Sequence, residues 1–198
     1  MRVVVSEFMS LDGVVQAPGG ATEDTEGGFQ HGGWFFDYFD PEVIGGVVDG
    51  YADANEVLLQ GRRTYQVSSE AWPERSGDPF TEWINTAQKY VVSDTLTEPD
   101  VQRWQPTTIV PGAELIDKVA ELRARPGGDI YIYGSLSVVR TLLGEGMVDE
   151  LVLFISPTTL GGGKTLFPTD RVRRNYELTS VQTSPKGVIV CRYRPMSG

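Results

Sequence analysis

The sequence predicts an α/β protein whose mostly parallel sheet ends in an antiparallel hairpin. Up to Gly146, short β-prone runs alternate with segments whose apolar residues recur at helical spacing. After Gly146 the alternation stops, and residues 176–184 and 188–193 are expected to pair around Pro185-Lys186-Gly187. Strands joined through helices pair in parallel, whereas hairpin strands are antiparallel. We therefore expect a three-layer mixed sheet with helices on both faces, built as one domain over residues 1–198.

The elements before the hairpin follow from their composition. Strands are expected at residues 2–9, 56–60, 89–93, 107–110, 129–133 and 148–155. Helices are expected to begin after Asp40, at Arg62, at residue 112 and after Gly134-Ser135. Asp40 is a favourable N-cap, and Pro41 suits the first helical position because that position needs no N–H donor.

The turn after residues 129–133 is a candidate phosphate site. The strand runs directly into Gly134-Ser135-Leu136-Ser137, where a helical pattern begins. Backbone N–H groups at a helix start lack intrahelical partners and lie at the positive end of the helix dipole. Glycine removes the Cβ that would keep a ligand away, so a phosphate or pyrophosphate is the expected guest. The alternative is a plain strand–helix connection, because short glycine motifs have a high false-positive rate.

A second turn of the same kind carries positive charge. Gly61-Arg62-Arg63-Thr64 follows the predicted strand at 56–60. Guanidinium groups suit phosphate oxygens, and an arginine in this position favours NADP over NAD, because it accommodates the 2′-phosphate. The alternative is that one or both arginines are only solvated. The helix dipole argues against that alternative, since it disfavours cations at a helix start.

The segment after the first strand supplies candidates for catalysis and substrate binding. Asp12 could relay a proton, although an Asp before Gly more often bonds its own backbone. Residues 16–33 form a long Gly-rich loop of the kind that serves as a lid. Within it, His31 is the single histidine and a candidate general acid. Trp34 and Phe35 follow the loop, and they either wall a flat ligand or anchor the core.

Charge and composition exclude several other functions. A net charge of −10 argues against nucleic acid or an anionic membrane as partner. With one cysteine, Cys191, and one histidine, the chain has no intramolecular disulfide and no Cys/His zinc site, and we expect no metal. No signal peptide or transmembrane run is visible, so we expect a cytoplasmic protein. Lys164 follows three glycines without the spacing of a P-loop.

Four segments of the chain occur together in an informative order. They are residues 5–14 (VSEFMSLDGV), 61–65 (GRRTY), 131–135 (YIYGS), and 147–151 with 157–163 (MVDEL and PTTLGGG). In this order the chain resembles the dihydrofolate-reductase-like superfamily over nearly its whole length. It is closest to the reductase domain of bifunctional riboflavin-biosynthesis proteins and its stand-alone relatives. The resemblance implies the dihydrofolate reductase fold, NADPH as hydride donor, a small-molecule substrate and a homodimer.

The resemblance also implies roles for individual residues. It assigns cofactor phosphates to the two turns and to a serine after the third strand. It assigns nicotinamide and substrate to the turn after the first strand. The cofactor residues so implied, together with neighbours in the same turns, are Gly13, Gly61, Arg62, Arg63, Thr64, Ser93, Gly134, Ser135, Leu136 and Ser137. The substrate residues are Met9 and Ser10 by resemblance, with Trp34 and Phe35 from the aromatic cluster.

The implied activity is that of 5-amino-6-(5-phosphoribosylamino)uracil reductase, a hydride transfer to a C=N or C=C bond. The riboflavin enzymes tend to carry a lysine on the first strand, where this chain has Ser6-Glu7-Phe8. Dihydrofolate reductases carry an acidic residue on the first long helix, for which Glu42 and Asp49 are candidates. The alternatives are therefore a pterin reductase of the dihydrofolate reductase type, or a nucleotide-binding module without turnover.

The charge of the first third of the chain bears on the substrate. Between Arg2 and Arg62 there are eleven acidic residues and no lysine or arginine. By resemblance, this segment builds most of the substrate side, and an acidic cleft lowers the local concentration of anionic ligands. We therefore expect a neutral or cationic flat substrate, with Lys164 as one cation that could instead accept a phosphate.

Overall fold

The computed structural model describes residues 1–196. Within them the strands are β1 (Val3–Ser10), β2 (Asn55–Gly61), β3 (Gln88–Val92), β4 (Thr107–Val110), β5 (Asp129–Tyr133), β6 (Glu150–Ser156), β7 (Tyr176–Thr183) and β8 (Ile189–Pro195). The α-helices are α1 (Gly46–Ala54), α2 (Arg62–Ala71), α3 (Pro79–Thr86), α4 (Leu115–Arg123) and α5 (Leu136–Gly144).

The strands form one mixed sheet in the order β4-β3-β2-β5-β1-β6-β8-β7. The pairs β2–β3, β2–β5 and β3–β4 are parallel, whereas β6–β8 and β7–β8 are antiparallel. The predicted fold class, a mostly parallel α/β sheet with an antiparallel C-terminal hairpin, is therefore confirmed. The chain divides into two compact units, and the prediction of a single domain stays a prediction.

Unit 1 comprises residues 1–5 and 47–148. Its aromatic core surrounds Tyr131 of β5, whose ring lies 4.6 Å from that of Tyr51 and 5.8 Å from that of Trp83, centroid to centroid. Phe80 contacts the same ring edge-on at 6.1 Å. Alternation along β5 gives Ile130 and Ile132 the opposite face, where both are fully buried.

Unit 2 comprises residues 6–46 and 149–198, of which the last two lie outside the described residues. Its core is built on Phe8, whose ring stacks on Phe35 at 3.8 Å and tilts against Phe154 at 5.0 Å. The Trp34 Nε1–H donates to the Gln16 carbonyl oxygen at 2.9 Å. Aromatic packing thus fixes the end of the long loop on the strands of this unit.

Three elements start at residues that differ from the predicted ones. Asp40 caps as predicted, its carboxylate accepting from the Val43 N–H at 2.7 Å, but the first turn, Pro41–Gly45, is π-helical and α1 starts only at Gly46. The helix predicted from residue 112 begins with a 3₁₀ turn and becomes α-helical at Leu115. The predicted strand at 148–155 starts only at Glu150 and runs to Ser156, and Val148 is buried ahead of it.

Candidate functional site

The two predicted phosphate turns of unit 1 meet. β2 and β5 are parallel neighbours, so their carboxyl ends lie at the same edge of the sheet. The Ser135 hydroxyl accepts the Gly61 N–H at 3.0 Å, and the Ser135 N–H donates to Thr64 Oγ1 at 2.9 Å. These two hydrogen bonds connect the β2–α2 turn to the β5–α5 turn, so the two sequence motifs form one site.

The helix starts at this edge offer donors suited to an anion. Neither Gly61 before α2 nor Ser135 before α5 makes a side-chain N-cap hydrogen bond. Ser135, the residue before α5, is left-handed at φ 55, and Gly134 is at φ 57. Arg62 and Arg63 are exposed at the start of α2, and Arg62 Nη1 donates to Gln66 Oε1 at 3.2 Å. This donor set fits a cofactor that carries phosphates.

Two predicted cofactor residues have mainly structural bonds. Thr64 accepts from Ser135, as described, and the buried Ser93 hydroxyl accepts the N–H groups of Thr95 and Leu96 at 3.1 and 3.0 Å. Ser93 follows β3, which pairs with β2, so it lies at the same edge of the sheet. Leu136 and Ser137 form the first turn of α5, with Ser137 exposed. Their contact with a cofactor stays a prediction.

Gly134 has a packing role in addition to the role expected for it. That a side chain there would enter the space of a pyrophosphate stays a prediction. A Cβ at Gly134 would also meet the Thr64 side chain at 3.1 Å. Glycine is therefore required by the positive φ and by the packing of one turn against the other, whatever binds outside.

A group of hydrogen-bonded side chains around Tyr133, next to Gly134, was not predicted from the sequence. The half-buried Tyr133 hydroxyl lies 2.8 Å from Ser68 Oγ and accepts the Trp72 Nε1–H at 3.0 Å. Ser68 also accepts from the buried Gln60 amide at 3.2 Å. These residues come from β2, α2, the residue that follows α2, and β5, so no spacing in the sequence indicates that they meet.

In unit 2 the turn after β1 is held by its own side chains. The Ser10 hydroxyl, fully buried, donates to Asp12 Oδ1 at 2.5 Å and accepts the Val14 N–H at 3.0 Å. Asp12 also accepts the N–H groups of Leu160 and Gly161, the latter at 2.8 Å. The hydrogen bond from Ser10 and those backbone bonds lower the pKa of Asp12, so it is a carboxylate at neutral pH. These bonds are structural, but they join Asp12 to Ser10 and to the loop at Leu160 and Gly161. Its proton-relay role stays a prediction.

The remaining substrate candidates differ in exposure. Met9 is half-buried near the end of β1, and Gly13, at φ 81, has open space around its Cβ position. Trp34 and Phe35 are 8% and 3% exposed, and their rings pack edge-on at 5.9 Å within unit 2. That burial corresponds to the core anchor, the second of the two roles considered for them. Contact with a substrate stays a prediction for Met9, Trp34 and Phe35, and contact with the cofactor stays a prediction for Gly13.

Unit 2 also contains a pocket of about 600 Å³ that includes His31. It is lined by residues 26–31 of the long loop, residues 160–164 of the Gly-rich loop, and Gln16. Gln16 holds the two loops together: its Nε2 donates to the carbonyl oxygens of Asp24 and Glu26, and its Oε1 accepts the Lys164 N–H at 3.0 Å. Two Gly-rich loops were visible in the sequence, but nothing in it indicated that they face each other.

Within residues 1–196, no cluster of acidic, histidine or cysteine side chains is arranged to hold a metal ion. The same part of the chain has no helix of the length and apolarity needed to cross a membrane.

Comparison with known proteins gives one family and several structural neighbours. The family model for the RibD C-terminal domain matches residues 1–190. The uncharacterized protein YyaP of Bacillus subtilis (strain 168) is 29% identical over 197 residues, which cover 97% of this chain and 94% of that protein.

Two solved structures show the fold. A protein from Shewanella sp. PV-4, whose name provisionally assigns it to riboflavin biosynthesis, superposes with a TM-score of 0.76 at 22% identity, covering 100% of both chains. Dihydrofolate reductase from Enterococcus faecalis, complexed with NADP(H), superposes with a TM-score of 0.60 at 13% identity, covering 99% of this chain and 97% of that chain. The predicted dihydrofolate-reductase-like fold is therefore confirmed.

Proposed function

Because this chain belongs to the RibD C-terminal domain family, we propose that it is an NADPH-dependent reductase that transfers hydride to a C=N or C=C bond of a small flat substrate. A reductase of the riboflavin-pathway type is the activity that the family and its structural neighbours support. The observation that carries the cofactor assignment is the pair of linked turns at the carboxyl ends of β2 and β5.

In this proposal each part of the turns has a defined task. The first N–H groups of α5, at Leu136 and Ser137, bind the pyrophosphate, and the Ser135–Thr64 bond orients them. Arg62 and Arg63 bind the phosphate on the adenosine side. When bound, NADPH supplies the hydride, and the protein supplies binding and orientation. In unit 2, the proposed site contains Met9, Ser10 and the pocket with His31 as candidate proton donor.

The test is a double variant, Arg62→Gln/Arg63→Gln. Each charge-assisted hydrogen bond to a phosphate is worth about 1.5–3 kcal/mol, so the loss of one lowers NADPH affinity about 10- to 150-fold, and the double variant should lose at least that much. NADH affinity should change little, because NADH lacks the extra phosphate. Fluorescence titration of both cofactors measures this, and Arg103→Gln, an exposed arginine elsewhere in unit 1, is the matched control. Equal NADPH and NADH affinities in the unmodified protein would contradict the proposal.

We also propose that the protein is a homodimer through the face that β7 and β8 share. Leu178, Val181 and Ile189 are 51%, 54% and 37% exposed. The register pairs Val181 with Cys191 and Thr183 with Ile189, so these apolar side chains lie on one face of the hairpin. Exposed apolar strand surface of this kind marks an association site.

The Val181→Glu variant tests this interface. A charge at its centre should convert a dimer into a monomer, as measured by light scattering after gel filtration, while the circular dichroism spectrum stays the same. Glu177→Gln, on the opposite face of β7, is the control and should leave the mass unchanged. A monomeric unmodified protein at micromolar concentration would refute the proposal.

A further inference from the structure

The pocket of unit 2 contains a cation that is already neutralised. Lys164 Nζ lies 2.5 Å from Asp24 Oδ2 and 2.7 Å from Glu26 Oε2. All three charged side chains are at most about half exposed, at 30%, 26% and 53%. One lysine between two carboxylates leaves this cluster with a formal charge of −1. Lys164, the cation considered above as a phosphate ligand, is therefore already paired with two carboxylates.

The surfaces that remain suit a flat ring. The rings of Phe29 and His31 stand nearly perpendicular, at 79° and 5.6 Å between centroids. In the lining of the same pocket, Gly161 and Gly162 have no atom within 4 Å of their Cβ positions, so the backbone there is open to a ligand. Gly163 backs onto Phe29, since a Cβ there would come within 3.0 Å of its ring. An aromatic ring and a bare backbone are surfaces on which a heteroaromatic ring can lie.

From this geometry we propose that the pocket binds a neutral or cationic flat ring and discriminates against phosphorylated substrates. This inference rests on the proposed reductase function and narrows its substrate class. Its contacts are Phe29 and His31, which replace Trp34 and Phe35 as the flat surfaces. A phosphate monoester carries nearly two negative charges at neutral pH. To bind one, Lys164 would have to leave Asp24 and Glu26, and both carboxylates would then face the phosphate without a counter-ion.

Binding of two matched compounds tests the proposal. The probes are 5-amino-6-(5-phosphoribosylamino)uracil and the same compound without its phosphate, titrated calorimetrically into the full chain under anaerobic conditions. We expect the dephosphorylated probe to bind at least 10-fold more tightly. In the Asp24→Asn/Glu26→Gln double variant Lys164 is released, and the preference should shrink at least 10-fold through gained affinity for the phosphorylated probe. Asp170→Asn breaks a distant ion pair of unit 2 with Arg174 and should leave both affinities unchanged.

Several outcomes would overturn the inference. The first is that the phosphorylated probe binds more tightly and that Lys164→Gln loses this binding. The second is that neither probe binds. The third is that the folded Asp24→Asn/Glu26→Gln variant keeps the same preference between the probes. NADPH oxidation, measured in parallel, separates the two proposals. Faster turnover of the phosphorylated probe would refute the pocket inference and leave the reductase function standing. A clear binding preference without turnover of either probe would refute the function and leave the pocket inference standing.

Discussion

Gly134→Val should lower the free energy of unfolding by about 3–5 kcal/mol, and NADPH affinity should fall with it. Holding a side chain at φ 57 costs about 1–3 kcal/mol, and more for a β-branched residue. Forcing the Cβ against Thr64 adds about 1–3 kcal/mol of overpacking. The displaced Thr64 would also withdraw its hydroxyl from the Ser135 N–H.

Urea unfolding of a small set of variants separates these contributions. Gly134→Ala should cost about 2 kcal/mol less than Gly134→Val, and adding Thr64→Ser should recover part of the loss, because serine lacks the methyl group that the Cβ meets. Gly144→Ala, in the same unit at the end of α5, has open space around its Cβ and should be neutral or stabilising by up to about 1 kcal/mol. If Gly134→Val keeps full stability but loses NADPH affinity, Gly134 serves the ligand site and its packing against Thr64 contributes little to stability.

The sequence predicts those features that depend on local pattern. Strand β4 and strand β5 are found at their predicted bounds, because β-prone runs flanked by turn residues have few alternatives. The helix starts at Arg62 and after Ser135 follow from the switch to helical spacing. Parallel pairing of their strands predicts that these two helix starts lie near each other. It does not predict that Ser135 bonds both Gly61 and Thr64, which lie 74 and 71 residues away in the sequence.

Side-chain exposure could not be read from the same patterns. Trp34 and Phe35 directly follow the Gly-rich loop of residues 16–33, and Phe29 and His31 lie within it only a few residues earlier. Phe35 is buried because its ring stacks on Phe8 of β1, which in turn packs against Phe154 of β6. Phe29 stays partly exposed because Gly163 brings only backbone against its ring. Likewise, the charge count along residues 2–62 indicated an acidic surface, but the double ion pair of Lys164 depends on a loop about 140 residues away.

Lys89 is another residue whose burial could not be predicted from the sequence, because lysine is usually exposed. It is fully buried at the start of β3, and its ammonium group donates to the carbonyl oxygens of Ala87 and Asn85 at 2.8 and 3.3 Å. It also lies 4.7 Å from the centre of the Trp104 ring. Burial lowers the pKa of Lys89 from 10.5 to about 8. In the folded protein this lysine therefore loses its charge at a pH where it would stay protonated in the unfolded chain.

The expected consequence is a stability that rises in alkali. Below pH 8 the folded protein must bury the charged lysine, and the penalty is fully present. Between pH 8 and 10.5 the unfolded state binds more protons than the folded state, so the free energy of unfolding contributed by Lys89 increases with pH. Lowering the pKa of Lys89 from 10.5 to about 8 corresponds to about 3 kcal/mol in the free energy of unfolding. Lys89→Met should remove that pH-dependent term, at a smaller constant cost for the two carbonyl groups that lose their donor.

The measurement is the difference in free energy of unfolding between Lys89→Met and the unmodified protein, from urea titrations at several values between pH 7 and 10.5. The methionine variant should be more stable by about 1–2 kcal/mol at pH 7, and its advantage should disappear or reverse by pH 10.5, a total change of about 3 kcal/mol. Lys118→Met, which removes a half-buried lysine paired with Glu121 on the neighbouring α4, controls for the loss of one positive charge. Stability curves for Lys89→Met and the unmodified protein that run parallel across this range would show that the ammonium group of Lys89 is hydrated in the folded state, and that its burial carries no charge penalty.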